Sequence, residues 1–444
     1  MTSALGRKTL GLLRVAGFAA VGDVMEHRDF RLFITGHSLN LLGLWIYRVA
    51  LGWLTWELTR SGAWLGAIAA ADALPAVLLA PIGGVLADSR DRRRVAMLTQ
   101  SVMVGLGTVL AVLTLAGAVQ IWGLFALTVL RGVNVAFWQP VRLALVPDLV
   151  AREEMPTAIA INASLFNSAF FIGPALAGPI ILTGGAGTAF AVDAATSLSL
   201  LIALMAMRAS YRAPRSARSR GIVGDAIIGI RFATRHRGIG PVLLLSLVLG
   251  FAVRPLADLL PGFAEVVFEG GAGTLAASTS ALGLGSLVGA ILTARRGNRG
   301  GAVTRALAAG SAAAAAALAF AATNLLPVAL VILAAVGLSL TTAGINGQVL
   351  VQQTVPDELR GRVLSLLGMI LRGAPAVGAL AMGSASELVG LRWPVAAGAL
   401  LGLLVFAIAF RTRAGLTAAL EQPERPSAAG GRSSGGIGRG GRAC

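Results

Sequence analysis

Apolar residues in this chain run in long blocks, each near the 20 or so residues that cross about 30 Å of hydrocarbon as a helix. Short polar stretches separate them. The blocks fall at residues 30–58, 63–87, 95–117, 121–143, 157–182 and 188–207, and then at 239–262, 275–294, 303–322, 326–349, 363–388 and 394–410. Hydrocarbon offers the backbone no hydrogen-bond partner, so spanning segments must be helices or a closed barrel, and unbroken Leu/Ala/Val/Gly runs fit helices. The pattern predicts an all-α membrane protein of twelve transmembrane helices in two sets of six.

The remaining segments have other characters. Residues 1–29 hold Arg7, Lys8 and Arg14 among apolar positions; Arg14 interrupts the apolar core that a cleaved leader needs, so an interfacial cytoplasmic segment is expected. Residues 208–238 form a polar linker containing Arg-Ala-Pro-Arg-Ser-Ala-Arg-Ser-Arg and then an amphipathic piece at 225–236. Residues 411–444, rich in Gly, Ser, Arg and Pro, are expected to be a disordered cytoplasmic tail.

The composition is 56% hydrophobic and 13% charged with a mean hydropathy of +0.79, far from a soluble domain. The formal charge of +17 would suggest nucleic acid in a soluble protein, but the cations sit in short loops between apolar blocks, where topology explains them. Of the 37 lysines and arginines, Arg48, Arg131, Arg254 and Arg372 lie deep inside the blocks, Arg60 and Arg392 lie in one set of loops, and the rest share the other side, in loops or at block ends. The positive-inside rule makes that crowded side cytoplasmic, both termini with it, in the cell membrane. Cys444 is the single cysteine, and His27, His37 and His236 lie far apart, so neither a disulfide nor a metal site is expected. Lys8 is the only lysine, and no G-x-x-x-x-G-K-[ST] stretch exists to cradle a nucleotide. No enzyme chemistry and no cofactor are expected; energy must come from a gradient or a partner chain.

A shift of 206 residues places Arg48 on Arg254 and Ala87 on Thr293, and Val146-Pro147-Asp148 is echoed by Val355-Pro356-Asp357. The halves 30–207 and 239–410 are thus expected to be six-helix bundles related by a pseudo-two-fold axis, the plan of transporters that rock about a central site.

The loop Gly84-Val-Leu-Ala-Asp88-Ser89-Arg90-Asp91-Arg92-Arg93-Arg94 resembles the loop signature of the major facilitator superfamily. The stretches 146–162 and 355–363 look like its enterobactin-exporter-like and macrolide-efflux-like branch. The resemblance implies a gate in which Gly84, Asp88, Arg92 and Arg93 latch the cytoplasmic side. Ser89 stands where the family has Arg, and Asp91 where it has Gly, a residue suited to positive φ. Gly173-Pro174-Ala-Leu-Ala-Gly178-Pro179 is similar to the element the superfamily associates with export by antiport, with Pro179 replacing its last glycine. Arg131 before Gly132 is similar to the family's buried arginine, which the resemblance links to proton coupling.

An ionisable group inside a span is costly and marks a cavity or a partner. Counted from the outer ends of their blocks, Arg48, Asp72 and Arg131 share one depth, so Asp72 is the expected counter-ion of both arginines, either as a group that titrates or as a fixed structural partner. Arg254 and Asp258 are four apart on one expected helix face, either neutralising each other or lining the cavity. Arg372 is a further cavity candidate, and Asp193 lies close enough to a block end to be interfacial. Asn134, Asn162 and Asn346 are possible substrate contacts. Trp45, Trp53, Trp56, Trp64 and Trp122 fit an interfacial belt, some with room to stack on a substrate. Together these features predict a monomeric secondary exporter of a small hydrophobic or amphiphilic molecule, antibiotic or siderophore, driven by protons. Importer and non-transporting receptor or scaffold are the alternatives.

Overall fold

The computed structural model describes residues 19–208, 222–297 and 300–421. Most of the expected interfacial segment, much of the linker and the tail beyond Glu421 lie outside them. Helix α1 (Ala19–Glu26) precedes α2 (Arg28–Thr59), α3 (Gly62–Ser89), α4 (Arg92–Leu115), α5 (Ile121–Asp148) and α6 (Met155–Ala206). The amphipathic linker piece is α7 (Ile222–Arg235); α8 (Ile239–Ala252), α9 (Leu256–Gly262) and a π-turn (Phe263–Val267) follow. Then come α10 (Ala272–Arg296), α11 (Ala302–Ala322), α12 (Leu326–Thr354), α13 (Asp357–Val389), α14 (Arg392–Arg411) and α15 (Arg413–Glu421).

Ten helical stretches among the described residues are long and apolar enough to cross a membrane. Helix α2 is not one of them; at 32 residues it has the length, but His37, Ser38, Asn40 and Arg48 lie along it. The 52 residues of α6 break at Gly185, where φ is 74°, a backbone that glycine adopts without a Cβ clash. Unbroken, such a helix would reach about 78 Å. Its two ends instead meet at the start of α2: the Glu154 carboxylate bonds His27 at 2.7 Å, and the Arg208 amide donates to Asp29 at 3.2 Å.

Two expectations are corrected. Residues 239–262 do not form one helix, because Pro255 has no N–H to give and its ring disfavours helical backbone before it; the chain turns at Val253–Pro255, and α9 starts afresh. Residues 411–421, expected to be disordered, continue as helix. Leu416 and Leu420 are buried there, and Glu421 accepts from the Gly301 and Val303 amides at 2.9 and 2.7 Å, capping α11.

Helix α2 packs on α6, α3 on α5, and α4 on both α5 and α6; in the later residues α10 packs on α12, α11 on α12 and α14, and α8 on α13. Two seams join these sets, α3 with α13 and α6 with α10. Small residues make the first seam possible. A Cβ on Gly66 would lie 2.3 Å from the Ala379 carbonyl oxygen, and one on Gly383 would lie 2.2 Å from that of Gly62. The gap then grows along the same pair of helices: 3.8 Å from Gly373 to Val77, and nothing within 4 Å of Gly84, Gly361 or Gly368. This seam is therefore shut at its Arg60 end and parted at its Asp88 end.

Candidate functional site

Charged side chains from both sets of helices converge midway along the first seam. Arg48 of α2 donates to Asp72 of α3 at 3.2 Å. Asp258 of α9 and Arg372 of α13 each lie within electrostatic reach of both partners, and Arg142 of α5 lies within reach of Arg372. Neither the Asp258 nor the Arg372 side chain has a hydrogen bond or ion pair among the described residues. Because the helix is interrupted at Pro255, Arg254 and Asp258 do not pair with each other. Arg254 is half-buried, its guanidinium also lacks a hydrogen bond or ion pair among the described residues, and its Nη2 sits 3.6 Å from where a Cβ on Gly344 would be, so that glycine leaves the guanidinium its space.

Arg131 behaves differently from the sequence expectation. Its partner is Asp193, reached by two bonds of 2.7 and 3.2 Å with both side chains buried, while its guanidinium carbon lies 3.6 Å from the centre of the Tyr47 ring. Asp193 is not interfacial: the helix resumes at Gly185, so Asp193 lies about 12 Å along it at 1.5 Å per residue. Among the described residues Asp72 has Arg48 alone as its ion-pair partner, with Arg131 within electrostatic reach. Arg142 escaped notice because it stood at the expected end of a block, whereas α5 continues to Asp148 and carries it inward, bonded to Gln139 at 3.0 Å and against His37 at 3.5 Å.

The asparagines separate into two kinds. Asn134 donates to the Thr99 carbonyl at 3.0 Å; Asn346 accepts from Arg305 at 3.1 Å and donates to the Thr342 carbonyl at 2.8 Å. Both tie helices together. Asn162 presents a buried Oδ1 with no partner, and so does Nε1 of Trp45. The Trp45 ring stands 4.2 Å from Phe170, 5.9 Å from Phe166 and 5.2 Å from the Arg48 guanidinium, centre to centre. Asn162, Phe166 and Phe170 repeat every four residues, one face of α6.

Gly173 and Gly178 serve close approach. A Cβ on Gly173 would meet that of Trp45 at 2.4 Å, and one on Gly178 that of Ala276 across the second seam at 2.8 Å. Pro174 removes the amide that the Phe170 carbonyl would accept, and that carbonyl faces α10 at Gly283, 2.4 Å from a Cβ there.

Two carboxylates close the Arg60 side. Glu265, set in the π-turn, accepts from Trp56 Nε1 at 2.7 Å and pairs with Arg60. Glu387, at the end of α13, accepts from Ser61 Oγ at 2.8 Å and the Ala63 amide at 3.1 Å, placing an anion at the start of α3. At the opposite side, Asp88 is exposed and has no partner among the described residues. Gly84 has open space around it. Arg92 holds Asp148 of the Val-Pro-Asp stretch at 2.5 Å, and Arg93 holds the Leu204 and Met205 carbonyls, both at 2.8 Å. Asp91 takes φ −64° rather than a positive value and caps α4, accepting from the Arg93 and Arg94 amides at 3.0 and 3.3 Å.

Membrane-length helices about a charge-lined seam, shut at one side and parted at the other, define a transporter, and the architecture is that of the major facilitator type. The chain belongs to the transmembrane secretion effector family, whose pattern matches residues 23–428. It is similar to the staphyloferrin A transporter of Staphylococcus aureus, 26% identical over 364 residues covering 81% of this chain and 90% of that one. The macrolide efflux protein A of Streptococcus pyogenes is 22% identical over 373 residues, covering 82% and 91%. In fold it is similar to a bacterial homologue of the lysosomal transporter Spinster in an inward-facing, unoccupied conformation, with a TM-score of 0.68 and 14% identity over 89% of this chain and 98% of that one.

Proposed function

We propose that this protein is a secondary active exporter that carries a small amphiphilic molecule out across the cytoplasmic membrane in exchange for protons. One observation carries the reading: the charge cluster is built from both sets of helices at a seam that is sealed on one side of it and parted on the other. Counting α2 and both arms of α6, twelve helices cross the bilayer, in bundles 30–207 and 239–410 that rock as monomeric halves around the cluster. The two seams support that symmetry, since exchanging the halves carries α3 against α13 onto α10 against α6. The arginine distribution puts the Asp88 side, both termini and the linker 208–238 in the cytoplasm, so the conformation described is open inward.

The arginines stay charged throughout the cycle, so within the cluster the proton falls to its acids, Asp72 and Asp258. A proton on Asp72 would release Arg48, so that protonation and the pairing of Arg48 exclude each other. The relatives' names, a siderophore transporter and a macrolide efflux protein, support export of small molecules by this family. In proteoliposomes with an imposed pH gradient, the wild-type chain should move substrate against its concentration gradient, and Asp72→Asn should abolish that while keeping its thermal unfolding midpoint. Gradient-driven transport by a well-folded Asp72→Asn protein would sink the assignment of Asp72.

A further inference from the structure

The central cluster is not neutral. Asp72 and Asp258 are the acids beside Arg48 and Arg372, Arg142 lies beside Arg372, and of these arginines Arg48 and Arg142 already have partners. The two whose side chains have no hydrogen bond or ion pair among the described residues, Arg254 and Arg372, both belong to the later set of helices. Arg254 is the sharper case: it is half-buried, its guanidinium bonds no group among the described residues, and Gly344 leaves that guanidinium its space. A cation held at membrane depth without a counter-ion is costly, and a protein that keeps one has a use for it. Across the seam the earlier helices present a different surface: Trp45 with Phe166 and Phe170, an apolar plane near the depth of Arg48. Two buried polar atoms there have no partner, the donor Trp45 Nε1 and the acceptor Asn162 Oδ1. Buried polar atoms without partners are rare in proteins and cost stability unless something bonds them.

Resting on the exporter reading, we infer that the cargo is an organic acid with a flat conjugated body. Its acid group is held by Arg254, with Arg372 drawing it in, and its ring lies against Trp45, Phe166 and Phe170, where a polar ring substituent reaches Asn162 or Trp45 Nε1. Such a ligand neutralises the uncompensated arginine and gives one of the two orphaned polar atoms a partner. It also explains why the two sets of helices line the site so differently: one supplies charge, the other surface. A neutral drug leaves Arg254 without a counter-ion, and a cationic one opposes it.

The test uses the full chain in lipid nanodiscs and three probes of matched size: 2-naphthoate, its neutral amide 2-naphthamide, and the saturated acid decahydronaphthalene-2-carboxylate, with binding followed by calorimetry. The acid should bind at least tenfold more tightly than the amide. Arg254→Gln should erase that preference, Arg254→Lys should retain most of it, and Trp45→Ala should weaken the naphthyl probes several-fold more than the saturated acid. All variants are checked for an unchanged unfolding midpoint. Equal binding of acid and amide, a preference that survives Arg254→Gln, or no binding of any probe would each overturn the inference. If 2-naphthoate binds with the Arg254-dependent preference yet is not moved in proteoliposomes under a pH gradient, the anion site stands and the exporter reading falls.

Discussion

The bidentate pair between Arg131 and Asp193 is the most deeply buried pair of charges in the described residues, with 5% and 0% of the two side chains exposed. Two charges taken out of water repay that cost only when both are present. Asp193→Ala should therefore destabilise the protein by about 3–5 kcal/mol, because Arg131 is left buried and unpaired. Replacing both residues with leucine should recover much of the loss. Thermal unfolding of the single and double variants checks this, and a double variant no better than the single one refutes it. The arginines of the site were legible in the sequence, since a charge inside an apolar block announces itself. The partner of Arg131 was not. Whether Asp193 is interfacial or deep depends on where its helix begins, and one glycine at 185, with its left-handed backbone, moved that start outward. Arg142 was hidden in the same way by the true end of α5.

At the scale of the elements, hydropathy revealed the spanning helices, because each block must bury its backbone polar groups internally. It did not reveal the interruption at Pro255 or the π-turn at Phe263–Val267, which are local departures inside an apolar run. The π-turn matters: its wider winding is closed by the Phe268 amide bonding the Phe263 carbonyl at 3.1 Å, and it carries Glu265. Glu265 and Glu387 then grip the loop between α2 and α3 from the other half. Glu265→Gln combined with Glu387→Gln should loosen the Arg60 side without unfolding the protein. Spin labels at Leu58 and Leu388, both exposed, should report a wider distance distribution in this variant; an unchanged distribution would mean that apolar packing alone holds the seam. Gly66→Val should act more strongly in the same direction, since its side chain meets the backbone of α13 rather than a movable rotamer.

For the whole molecule, alternation requires that contacts made on one side be exchanged for contacts on the other. The Arg60 side is fully engaged, through Glu265, Glu387 and the small-residue seam. On the Asp88 side, Arg92 and Arg93 are occupied within their own half, while the Asp88 carboxylate is exposed and has no partner among the described residues. An acid that makes no contact in this state contributes nothing to its stability, and its work belongs to the state in which the Asp88 side closes. Asp88→Asn should thus leave the unfolding midpoint within about 1 °C, in keeping with a surface substitution away from caps and buried groups, and yet slow transport at least several-fold. Labels placed at Ser89 and Gly361, one on each side of the parted seam, separate this from a simple folding defect. In the wild-type chain they should show a second, shorter distance when an outward-directed substrate gradient is imposed, and in Asp88→Asn that shorter population should shrink. Equal populations in the two proteins would remove Asp88 from the gate and leave closure of that side to helix packing.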